Sequence, residues 1–101
     1  MKYIMFKSAK HKTFRMVNLN KADEFGYRES DNTLYVTYKG VSYTVFDCKK
    51  CGLTPEEGYQ LCEKAFEEYV DKSNTMADAI HIDIDKIVEY IVATRKINVE
   101  E

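Results

Sequence analysis

Cys48-Lys49-Lys50-Cys51-Gly52 is the segment whose residue types and spacing come nearest to a chemical site. Two thiolates three positions apart can grip one metal ion, and the following glycine permits the tight turn of a zinc-ribbon knuckle. A structural zinc needs four ligands, however. The remaining candidates are Cys62, which falls on the apolar stripe of a helix, and His11 or His81, both distant in sequence. A small zinc-binding domain through Cys48 and Cys51 is therefore kept as a second alternative, while no bound metal and no cofactor are expected. A thioredoxin-like redox pair fits less well, because that motif opens a helix directly and here the helix waits until Pro55. The plain reading is two reduced thiols in a strand-to-helix loop, since three cysteines are an odd number for a disulfide framework.

Three further groupings bear on chemistry. His81-Ile82-Asp83-Ile84-Asp85, if extended, would put one imidazole and two carboxylates on one side as hard-metal sites require, but Asp83 or Asp85 is also where a helix N-cap belongs. Lys10-His11-Lys12 with Arg15 forms a basic loop that could hold phosphate. Tyr35 and Phe46 are aromatic groups assigned to a solvent-facing sheet surface, where bases could stack. The sequence has no glycine-rich phosphate loop, no G-x-S-x-G and no H-E-x-x-H, and its four glycines stand singly at 26, 40, 52 and 58. No catalytic residue and no enzyme are expected; a cysteine and a histidine meeting in space is the one route left open.

The elements that must position these groups are legible from periodicity. Thr33 to Phe46 alternates with period two, and a Lys39-Gly40 turn pairs Tyr38 with Val41, Val36 with Tyr43 and Leu34 with Val45 on one face. Lys2 to Lys7, Thr13 to Leu19 and Glu24 to Glu29 are further β-biased runs, so residues 1–47 are predicted to form an antiparallel β-meander of four or five strands. A capping box, with Thr54 as N-cap, Pro55 at the first helical position and Glu57 at the third, predicts a helix over 54–72. Its apolar stripe is Tyr59, Leu61, Cys62, Ala65, Phe66, Tyr69 and Val70. A last helix is predicted over 83–97, with Ile84, Ile87, Val88, Ile91 and Val92 inward and Tyr90 and Ile97 on another side. The expectation is one α+β domain over 1–101, its two helices packed on one face of the sheet, with Val36 and Phe66 in the core.

Composition fits a chain that folds unaided: 101 residues, 45% apolar, one proline. A net charge of −2 argues against a general nucleic-acid binder, yet the charge is polarised. Six basic residues (Lys2, Lys7, Lys10, Lys12, Arg15, Lys21) and no acidic one lie before Asp23. No apolar run approaches the roughly 20 residues that span a bilayer, and the apolar run at the start is too short for a signal peptide. No membrane partner and a cytoplasmic location are expected. The strand-rich front, including Arg15-Met16-Val17-Asn18-Leu19-Asn20-Lys21, resembles small proteins of bacteria and their phages; the resemblance covers the front two-thirds and implies no function.

These readings converge on a small non-enzymatic protein-binding or regulatory module. The residues expected to meet a partner are Lys10, Lys12, Arg15, Tyr35, Tyr90 and Ile97. Nucleic-acid binding through the basic front segment is the first alternative, and a homodimer through the Tyr90 and Ile97 strip is the competing use of that surface.

Overall fold

Residues in left-handed conformation turn the front of the chain back on itself. Lys12 (φ 52°), Asn32 (φ 56°), Lys39 (φ 51°) and Gly40 (φ 79°) sit in the three hairpin connections. Two successive positive φ values at Lys39-Gly40 make the turn whose twist suits a two-residue hairpin, and glycine takes the second of them without a Cβ penalty. The computed structural model describes residues 3–72 and 78–99, with side chains through 95.

The strands are β1 (Tyr3–Ser8), β2 (Thr13–Asn18), β3 (Glu24–Arg28), β4 (Thr33–Tyr38), β5 (Val41–Asp47) and β6 (Ala79–Asp83). A one-turn 3₁₀ helix, Cys48–Cys51, leads from β5 towards α1 (Pro55–Lys72), and α2 (Ile84–Val99) follows β6. The α+β class stands. The single meander does not: the strands divide into two three-stranded sheets, ordered β2-β1-β6 and β3-β4-β5. The break falls between β2 and β3, which do not pair, and β6 joins the other side of β1, parallel to it from Tyr3↔Ala79 to Lys7↔Asp83. Ile80 and Ile82 alternate with exposed His81 and Asp83, so this strand precedes the last helix instead of forming part of its start.

The β4–β5 hairpin has the expected register near its turn, Tyr38↔Val41 and Val36↔Tyr43, but a bulge then pairs Leu34 with Phe46 in place of Val45. An extra residue in one strand turns the chain beyond it to the opposite face. Phe46, expected on the wet face, is 4% exposed, and Val45 is buried beside it. Val41 and Tyr43, at the turn end, are exposed instead.

The core lies where both sheets meet the helices. Ile4, Phe6, Val17, Ile80 and Ile82 come from the first sheet, and Leu34, Val36, Val45 and Phe46 from the second. Leu61 and Ala65 of α1 and Ile84, Ile87 and Ile91 of α2 close it. Phe6 stacks on Phe25, ring centroids 5.3 Å apart and 14° from parallel, across the seam between the sheets. The α1 stripe is narrower than periodicity implied. Val36 is a core residue, whereas Phe66, Tyr59 and Val70 are about half exposed, because α1 lies where its flank overhangs the edge of the second sheet.

The capping box forms as expected. Thr54 N–H donates to Glu57 Oε1 at 2.9 Å, and Glu57 N–H to Thr54 Oγ1 at 3.2 Å. Arg95 of α2 completes it, donating to both carboxylate oxygens of Glu57 and, at 2.9 Å, to the Gly52 carbonyl. Chiefly through the hydrogen bonds from Arg95, the Glu57 carboxyl is held down from 4.5 to about 2. A carboxyl with a depressed folded-state value contributes stability that is complete above its unfolded value and disappears as pH falls through its folded one. Glu57→Gln should therefore be less stable than the parent at neutral pH, with the deficit shrinking between about pH 4.5 and about pH 2. Urea midpoints across that window test this; a deficit independent of pH would contradict it.

Candidate functional site

Two regions gather side chains that the core does not use. The first is the outer surface of the β2-β1-β6 sheet. Ile4, Phe6 and Val17 point inward, so the pleat turns Met5, Lys7, Phe14 and Met16 outward. Phe14 and Met16 are 52% and 53% exposed, and the Lys7 ammonium lies over the Phe14 ring at 5.8 Å. Strand β2 pairs with β1 alone and so forms an edge of its sheet. Tyr38 Oη accepts from the Asn18 amide at 3.1 Å, so the edge on offer runs from Thr13 to Val17.

Lys10, Lys12 and Arg15 all belong to this β1–β2 hairpin and are exposed, so the structure brings these three expected residues together. It places the others elsewhere. Tyr35 is on β4 of the second sheet, where its hydroxyl bonds Glu24 and its ring lies 4.8 Å beneath the Arg28 guanidinium. The bond to Glu24 comes first among the causes that raise the Tyr35 phenol above its ordinary value. Tyr90 on α2 is 58% exposed and carries the Lys64 ammonium over its ring at 5.1 Å. Ile97 lies within α2, but its side chain is outside the described residues.

The second region lies at the turn of the same hairpin, on the stretch that also carries Lys10 and Lys12. Ser8, the last residue of β1, is buried, and its hydroxyl donates to Asp85 Oδ1 at 2.6 Å while accepting the His11 backbone N–H at 3.1 Å. The Lys10 amide donates to the other oxygen of Asp85 at 3.1 Å. This carboxylate, in the first turn of α2, thus ties down the loop that carries His11. Burial works to raise Asp85, but the bonds from Ser8 and from the Lys10 and Ala9 amides outweigh it and hold the carboxyl below its ordinary value. The fixed loop delivers His11 Nε2 to within 3.1 Å of Cys51 Sγ, with the ring edge-on to Phe46, centroids 6.1 Å apart at 70°.

A thiol and an imidazole therefore meet, on a loop that the Asp85 carboxylate holds in place. Cys48 is buried in the core, and burial above all pushes its thiol up to about 12. Cys51 is partly exposed, and its thiol too is raised, first by burial and then by Asp85 and Asp47. Cys62, on α1, is raised to about 11 mainly by burial. The three thiols are unbridged. Among the described residues no three or more histidine, cysteine or acidic side chains converge as a metal site. The Asp83 carboxylate accepts the Asp85 amide at 3.1 Å and starts α2, while Asp85 turns to Ser8, so the two acids next to His81 are taken up separately.

The meeting of His11 with Cys51 had no local signal, because forty positions separate them. Ser8 and Asp85 were equally unreadable as a pair. No helix among the described residues is long and apolar enough to cross a membrane. Comparison with family models, with curated proteins and with solved structures gives no match.

Proposed function

We propose that the chain is a non-enzymatic binding module that takes up an extended, acidic and apolar segment of another protein along the outer edge of β2. The observation that carries this reading is Phe14 and Met16, each more than half exposed and two positions apart on an edge strand. An edge strand presents a row of backbone donors and acceptors that an added strand can pair with, and side chains of one parity then seat its apolar residues. Aromatic residues, methionine and arginine are the types enriched at protein interfaces. Lys7, Lys10, Lys12 and Arg15 surround this edge, and no acidic residue precedes Asp23 in the sequence, which favours an acidic partner.

The same Phe14 and lysines would also suit a single nucleic-acid strand, through ring stacking and phosphate contacts. The net charge of −2 and the exposed Met16 beside Phe14 favour protein. A homodimer through the exposed Tyr90 surface is a separate use of the molecule, read by light scattering.

Selection of a displayed random-peptide library on the immobilised chain tests the reading. Peptides alternating apolar and acidic residues are expected, with affinity at least about tenfold weaker for a Phe14→Asp, Met16→Asp double variant. Peptides bound equally well by that variant would overturn it. Retention of single-stranded RNA or DNA at low salt, without peptide selection, would favour the nucleic-acid reading.

A further inference from the structure

We propose that Cys51 and Cys48 form a thiol–disulfide exchange site in which His11 is the base and Cys48 the resolving thiol. This goes beyond the binding reading and uses none of the β2 edge. The co-reactant is a small disulfide R–S–S–R.

Three observations carry it. Cys51 Sγ and His11 Nε2 are 3.1 Å apart on a loop fixed through Ser8 and Asp85, so the base is delivered rather than met by chance. Burial first, and then the nearby carboxylates, raise the Cys51 thiol above its ordinary value, so a base in contact is what speeds its attack. The C-x-x-C segment is itself a 3₁₀ turn. In that helix positions i and i+3 eclipse, and three steps of about 2 Å separate their Cα atoms by about 6 Å. Disulfides span that separation. The exposure is also graded as the chemistry needs, with Cys51 reachable from solvent and Cys48 enclosed behind it.

The exchange balances with the small disulfide as the two-electron oxidant. His11 Nε2 takes the Cys51 proton as the sulfur attacks R–S–S–R; the S–S bond breaks, and one RS⁻ leaves and recovers that proton as RSH. Cys51 now carries –S–R. The Cys48 sulfur attacks Cys51 Sγ, its proton passes to the second departing RS⁻, and the Cys48–Cys51 bond closes. The chain loses two electrons and two protons, and the small disulfide becomes two thiols.

Oxidised glutathione is the probe, with products located by peptide mass spectrometry. The parent chain should give an internal Cys48–Cys51 disulfide with little retained glutathione. Cys48→Ser and Cys48→Ala should each retain one glutathione on Cys51. His11→Asn, checked for folding by circular dichroism, should slow loss of the Cys51 thiol by at least about tenfold, in line with the usual worth of a positioned base. The parent experiment needs no variant to fold. Glutathione accumulating on Cys62, no Cys48–Cys51 bond in the parent, or equal rates with and without His11 would each overturn the proposal.

Discussion

Phe6→Ala is expected to lower the free energy of unfolding by about 3 to 5 kcal/mol, the range for emptying a buried phenylalanine site. Phe6 is 1% exposed, sits in the central strand of its sheet, and stacks on Phe25 of the other sheet. Its loss removes packing from both sides of the seam, and the strands around it are held by their own ladders and cannot collapse inward. The control is Phe66→Ala. Phe66 is 48% exposed and touches Phe25 at a tilt and Tyr69 edge-on, both with ring centroids 6.1 Å apart, so its removal should cost about 1 kcal/mol. Urea unfolding of both variants decides this. Equal losses would mean that the seam between the sheets is not where the core lies.

Gly58→Ala should destabilise, although alanine is the better helix former by about 1 kcal/mol in an exposed helix. Gly58 is in the first turns of α1, and a Cβ built on it would stand 2.2 Å from Asn32 Oδ1 and 2.8 Å from Tyr27 Cε1. Neither neighbour can swing away cheaply. Asn32 is buried, donates from Nδ2 to the Leu53 carbonyl at 2.8 Å, and accepts the Tyr27 hydroxyl at 2.8 Å. Its own carbonyl accepts the Cys48 amide at 3.0 Å. The added methyl must break this latch or push α1 off the second sheet, and overpacking together with a lost buried hydrogen bond outweighs the propensity gain by about 1 to 3 kcal/mol. Thermal or urea unfolding reads the sign directly, and a stabilised variant would contradict the close approach. Asn32→Gly, which makes room and tolerates the local φ of 56°, should recover part of the loss in the double variant.

What was legible in the sequence follows the range of the interactions. The Lys39-Gly40 turn, the capping box and the inward face of α2 depend on residues a few positions apart, and each formed as read. The bulge that buries Phe46 is one residue in size and leaves no trace in an alternating pattern until the partner strand is known. Strand β6 was hidden because Ile80, Ile82, Ile84 and Ile87 satisfy a strand and then a helix without a break in apolar content. Its pairing with β1 spans most of the chain. Phe66 was placed in the core because a helical stripe records which side of a helix is apolar, not how far the neighbouring sheet extends beneath it. Of the candidate site, the basic hairpin was readable as composition, whereas the exposure of Phe14 and Met16 depends on which face of β2 the second sheet covers. The His11–Cys51 contact depends on the β1–β2 loop, the 3₁₀ turn and the start of α2 meeting at one point.

Backbone amide exchange along β2 tests the binding reading most directly, using a library-selected peptide as the probe. An added strand must take up outward-facing amides between Thr13 and Val17, and these should become at least about tenfold slower to exchange when the peptide is present. The amides of α1 and α2 should be unchanged. Protection confined to the helices around Tyr90, with β2 exchanging as before, would contradict the account.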